Sequence, residues 1–152
     1  MWTELGDCST FYGDLTLNGI PKDDLTGLDY LETVTGSLRI IHTGTLNLES
    51  GLTLLTSVGG HLEISSNLGL HSLTGIAESA AALTIGGTLT VSDNPNLTDI
   101  GLTNLETGGA SAIVITDNTS LCQFDAESIC YYVGLEPSTQ TLSGNNDCLG
   151  AP

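Results

Sequence analysis

The sequence predicts a mainly β fold: a right-handed β-solenoid, or leucine-rich-type coil, of five to six rungs with a short C-terminal helical cap. Three observations carry this. A five-residue unit (small residue, any residue, apolar, any residue, apolar) recurs as GDLTL from Gly13, GSLRI from Gly36, GHLEI from Gly60, GTLTV from Gly87 and SAIVI from Ser111, in steps of 23, 24, 27 and 24 residues. Small or Asx residues cluster two positions after the strand in later copies: Ser66-Asn67, Asp93-Asn94, Asp117-Asn118 and Gly144-Asn145. A second apolar stretch then recurs at a spacing of about three. A fixed period of this length is the mark of a repeat architecture, in which one unit cannot bury its apolar face alone but stacked units can.

Within each unit the apolar positions alternate, which is the period of a strand with one buried face. The inward pairs are Leu15/Leu17, Leu38/Ile40, Leu62/Ile64, Leu89/Val91 and Ile113/Ile115. A weaker sixth copy, TQTLSGNN, places Leu142 27 residues after Ile115. Asn tolerates left-handed backbone and hydrogen-bonds nearby main chain, so it suits a corner, and stacked Asn can satisfy the neighbouring turn. The stretches after the corners run through Leu25, Leu28, Leu31 and Val34, then Leu52, Leu55 and Val58, then Leu73, Ile76 and Leu83, then Leu97, Ile100 and Leu105. They are too rich in Gly and Thr for a regular helix and read as 3₁₀ turns or short strands. Residues 123–133, QFDAESICYYV, are the helix candidate. Asp125 and Glu127 stand in its first turn, where acids suit the helix dipole, and Ile129, Tyr132 and Val133 are expected to cover the last rung. Trp2 to Leu5 is expected as a short N-terminal cap. The chain thus divides into a cap (1–12), repeats (13–121) and a disulfide-pinned C-terminal cap (122–152), all one domain.

Composition excludes several functions. Of 152 residues, 18 are acidic and 2 basic, giving a formal net charge of −16. Lys22 and Arg39 are too few to neutralise phosphates, so no nucleic-acid partner is expected, nor docking on anionic lipid. No apolar run approaches the ~18 residues of a membrane span, and no signal peptide lies in these residues. Three of the four cysteines, Cys122, Cys130 and Cys148, sit near the C-terminus, which points to an oxidising compartment and an extracellular or cell-surface location. No CxxC pair supports zinc.

The segments LTGLDYLETVTGSLRI (25–40) and LTLLTSVGGHLEISSNLGLHSLTGI (52–76), with the tail NTSLCQFDAESICYYV…TLSGNNDC, resemble the receptor L-domain, the leucine-rich β-helix repeat of growth-factor-receptor ectodomains and bacterial surface proteins. The resemblance covers about residues 8–148. It implies an extracellular binding or adhesion module, not an enzyme, and carries over no ligand residues. A longer N-terminal cap with its own Cys partner is missing relative to that family.

Strand layers are ~4.8 Å apart, so the two ends of the coil are too distant for a disulfide, which needs Cα atoms within ~7 Å. Cys8 therefore stays unpaired within the chain. Cys130–Cys148 or Cys122–Cys148 closes the cap. With the first, Cys122 and Cys8 are the odd thiols, candidates for pairing between molecules head to tail into a filament, an open heterologous assembly.

The expected contact face is the outward side of the main sheet, with Arg39, His61, Glu63, Thr88 and Thr90, against a protein or glycan ligand or copies of the chain itself. Asp93 and Asp117 occupy equivalent corners and are weak Ca²⁺ candidates; no other cofactor is expected. His42, His61 and His71 lack metal-ligand spacing. Asp23-Asp24 is a carboxylate pair, but neighbouring residues point apart. Asn96-Leu97-Thr98 and Asn118-Thr119-Ser120 are glycosylation sequons. Outward Thr16, Thr88 and Thr90 raise ice binding as a rival function, although the outward pairs form no regular Thr array. A polysaccharide-acting β-helix enzyme is a further alternative, weakened by the shortage of basic residues to stabilise developing charge.

Overall fold

A computed structural model describes residues 8–20, 25, 27–44, 46, 48, 51–78, 81–106 and 110–148. The chain winds as a parallel β-solenoid of about five turns with one helix near the C-terminus. Its principal sheet has six parallel strands: β2 (Leu15–Asn18), β4 (Leu38–Ile41), β6 (Leu62–Ser65), β8 (Thr88–Ser92), β9 (Ala112–Thr116) and β10 (Gln140–Ser143), each beside the next in chain order. The register follows the repeat: Leu15 faces Leu38, Leu38 faces Leu62, Leu62 faces Leu89, Leu89 faces Ile113, and Ile115 faces Leu142. The five inward pairs are buried, whereas Leu142 is only partly so.

A second sheet runs alongside. Its strands are two residues long: β1 (Thr10–Phe11), β3 (Thr33–Val34), β5 (Ser57–Val58) and β7 (Thr84–Ile85). Each precedes the glycine that opens the next principal strand. Those glycines stack: the N–H of Gly36 donates to the carbonyl of Gly13, Gly60 to Gly36, Gly87 to Gly60, and Ser111 to Gly87. A Cβ on Gly36 would lie 2.6 Å from the Gly13 carbonyl carbon. The requirement for a small residue at this place is thus close backbone approach between rungs.

Between the corner and the short strand, the apolar residues step by three because successive turns are closed by i→i+3 hydrogen bonds. The N–H of Leu28 donates to Leu25 O, Leu31 to Leu28, Leu55 to Leu52, Ile76 to Leu73 and Leu105 to Leu102. Every third side chain then points inward. Among the described residues, the buried apolar core is aliphatic apart from Cys130, with no aromatic ring among its buried members.

Helix α1 (Gln123–Val133) has the expected bounds. It buries Ala126, Ile129, Cys130 and Val133, and Gly134 ends it in left-handed backbone at φ 68°. Asp125 stands in its first turn. The expected cap at Trp2 to Leu5 lies outside the described residues, as do Lys22 and the Asp23-Asp24 pair.

The C-terminal bridge is Cys122–Cys148, with Cα atoms 5.3 Å apart. This corrects the pairing of Cys130 with Cys148. Cys130 lies on the inner face of α1 and is buried, while Cys122 sits at the helix N-cap, in a bridge pairing with Asn146. It also corrects the use of Cys122 as an intermolecular thiol, because its sulfur is already engaged. Cys8 is free and exposed.

Candidate functional site

Two ladders of side chains fix the geometry of the outward sheet. The first is a column of buried amides at the corner after the strand. Asn67 Nδ2 donates to Asn94 Oδ1 (3.1 Å), Asn94 Nδ2 to Asn118 Oδ1 (3.1 Å), Asn118 Nδ2 to Asn145 Oδ1 (3.3 Å), and Asn145 Nδ2 to Gln123 Oε1 (3.2 Å). At the other end the Thr43 hydroxyl donates to Asn67 Oδ1 at 2.7 Å. Each amide oxygen also takes the backbone N–H of the residue one rung back, Thr43 for Asn67 and the preceding Asn for the others, and each Nδ2 donates to a carbonyl of the preceding principal strand: Ile40, Ile64, Val91 and Ile115. Buried polar groups are tolerated when they are bonded in this way.

The left-handed backbone falls on the residue before each Asn, not on the Asn itself. Gly19, His42, Ser66, Asp93, Asp117 and Gly144 form a column at φ 54–70°. Asp93 and Asp117, the Ca²⁺ candidates, belong to this column and are exposed. Their N–H groups donate to Thr116 O and Ser143 O, so they turn the chain. The Asp117 carboxylate lies against the backbone of Gly144, where a Cβ would collide with it. Among the described residues, no group of three or more His, Cys, Asp or Glu side chains is placed to hold a metal ion.

The second ladder stands at the start of the strands. Asp14 Oδ1 accepts the Ser37 N–H (2.7 Å), Ser37 Oγ accepts the His61 N–H (3.1 Å), and His61 Nδ1 accepts the Thr88 N–H (3.0 Å). Sequence reasoning placed His61 as an outward residue and missed this bond. The available signal was its alignment with Asp14 and Ser37, both hydrogen-bond acceptors.

The five contact-face candidates come together across three adjacent strands. Arg39 faces Glu63, and Glu63 faces Thr90. Arg39 Nε pairs with Glu63 Oε2 at 3.2 Å, and Glu63 Oε1 accepts the Ser65 hydroxyl at 3.0 Å. His61 and Thr88 are joined one position earlier. With both side chains this exposed, the ion pair adds little stability, but it orders two long side chains on a flat sheet. The full row reads Thr16, Arg39, Glu63, Thr90, Val114, Thr141, and beside it run Asn18, Ile41, Ser65, Ser92, Thr116, Ser143.

Of the two sequons, Asn118 is buried in the amide ladder, whereas Asn96 is exposed and donates to Leu68 O. No helix among the described residues is long and apolar enough to cross a membrane. Searches against protein-family models, curated proteins and solved structures find no match to this chain.

Proposed function

We propose that the chain is a non-enzymatic extracellular or cell-surface module of the receptor L-domain type, which binds a protein or glycan through the outward face of its six-stranded sheet. The observation that carries this is the in-register patch of Arg39, Glu63, Thr90, His61 and Thr88 on a backbone locked by two side-chain ladders. A surface held this rigidly spends little conformational entropy on binding. The Cys122–Cys148 bridge supports an oxidising compartment. The Arg39–Glu63 pair interrupts the hydroxyl rows, which favours a protein or glycan over an ice surface.

A second mode, end-to-end assembly of copies, is favoured by the sheet order: β2 and β10 each have a ladder partner on one side alone within the six-stranded sheet. Such edges template further strands. With Cys122 bridged and Cys130 buried, this assembly needs no disulfide between copies.

The test is a glycan array and an extracellular-protein array probed with the biotinylated chain and with an Arg39→Glu/Thr90→Arg variant of matched melting temperature. The expected result is selective binding that the variant loses at least tenfold. Binding that survives the double substitution, thermal hysteresis, or polysaccharide cleavage by the chain overturns the reading. Sedimentation velocity checks the second mode.

A further inference from the structure

Outside the principal sheet, the coil carries a groove. Where α1 packs on the apolar turn of residues 99–105, a cavity of about 140 Å³ is walled by Leu102, Leu105, Ile129 and Val133, with Asp99 and Asp125 also lining it. Leu105 (8% exposed) and Ile129 (6%) are among the least shielded members of a core whose residues are mostly at 0–2%. The cavity meets a second one of about 400 Å³, which shares Asp99, Gly101 and Thr103 and adds Thr74, Glu78 and Asn104. The first cavity is partly open to solvent and mainly apolar in its lining, and its volume has room for a short alkyl stem.

The charges define what that stem must carry. Carboxylates line both cavities, and no Lys or Arg does among the described residues. Asp99 accepts the Gly101 N–H and the Ser72 hydroxyl, which leaves lone pairs unused on each oxygen. Among the described residues the one Lys or Arg is Arg39, and it is paired with Glu63 on the sheet. Lys and Arg bury an aliphatic stem along apolar surface while keeping the charged head beside water.

We infer that this groove receives a lysine or arginine side chain of a different protein, its stem between Leu102 and Ile129 and its cationic head between Asp99 and Asp125, with the attached peptide lying across Thr103 towards Thr74 and Glu78. The site is separate from the sheet face, so the Arg39→Glu/Thr90→Arg variant retains it, and the two readings fail independently.

The test is a ¹⁵N-NMR titration of the whole chain at 150 mM salt with three blocked tripeptides, Ala-Lys-Ala, Ala-Arg-Ala and Ala-norleucine-Ala. Saturable shifts are expected at the amides of Ile100, Leu102, Thr103 and Ile129, with a basic peptide binding at least fivefold more tightly than norleucine. Asp125→Asn weakens it three- to tenfold. Thr103→Trp, which leaves the charge untouched and fills the groove, abolishes it, while Glu127→Gln on the exposed side of α1 changes it less than twofold. Shifts spread evenly over the acidic surface, equal binding of norleucine, or an unaffected Thr103→Trp variant each overturn the inference.

Discussion

Replacing Asn94 with alanine removes the middle link of the amide ladder. Its Nδ2 donates to Ile64 O (3.0 Å), Ser92 O (2.9 Å) and Asn118 Oδ1 (3.1 Å), and its Oδ1 accepts from Asn67 N (3.0 Å) and Asn67 Nδ2 (3.1 Å). The side chain is fully buried. Truncation leaves the Asn67 backbone N–H without its acceptor, which costs about 2 kcal/mol, and losing the two amide N–H donors, shared among three acceptors, costs about 1 kcal/mol each, for a total of about 4 kcal/mol. At roughly 2–4 °C per kcal/mol for a chain of this size, the melting temperature falls by roughly 8–16 °C. Urea denaturation followed by far-ultraviolet circular dichroism reads this directly. Asn145→Ala, at the partly buried end of the column, loses about half as much, and Thr90→Ala on the outward face stays within about 0.5 kcal/mol. A loss below about 1 kcal/mol for Asn94→Ala refutes the ladder as a load on stability, because a water would then replace all five bonds at no cost.

Removing the Cys122–Cys148 bridge with a double Cys→Ser substitution is expected to cost about 3.5 kcal/mol from loop closure over the 26-residue separation; a melting temperature unchanged by reductant contradicts this. Burial raises the Cys130 thiol above the ordinary thiol range, opposed by a backbone hydrogen bond and helped by the charge of Glu127. The fold therefore favours the neutral thiol. Its contribution is whole at neutral pH, begins to be lost where an exposed thiol ionises, and is gone once the pH passes the raised ionisation range of the folded Cys130, so Cys130→Ala flattens the alkaline limb of the stability profile. In thiol labelling, Cys8 reacts at once and Cys130 only on unfolding. His42→Gly is expected to stabilise by about 0.5–1 kcal/mol, since φ of 54° costs a non-glycine residue about 1–2 kcal/mol and glycine returns roughly 0.5–1 of that as backbone entropy.

The solenoid was legible because each rung repeats one physical problem. The small residue at Gly13, Gly36, Gly60 and Gly87 marks close backbone contact, and the Leu or Ile pairs that follow mark the buried face. Even Leu142 followed, because the 27-residue step from Ile115 keeps its register. The helix was legible from its acids and apolar spacing. The two-residue strands of the second sheet were not separated from turns, since Thr33-Val34 and Ser57-Val58 are too short for any period. The disulfide partner was not settled either, because Cys122 and Cys130 flank most of one helix and only the packing decides which faces outward. Carrying the step of 27 from Cys122 reaches position 149, one residue from Cys148, and that signal was available. The groove beside α1 could not be read at all, since it depends on how a helix settles on a turn.

The amide column runs one way: every link gives its hydrogen towards the C-terminal end, from the Thr43 hydroxyl through four asparagines to the Gln123 oxygen. Neither terminator is an asparagine. Threonine opens the chain without an amide, and a glutamine borrowed from the helix closes it. The column spans the rungs from β4 to β10, and an engineered solenoid of this type grows by inserting whole asparagine-bearing turns between those two stops.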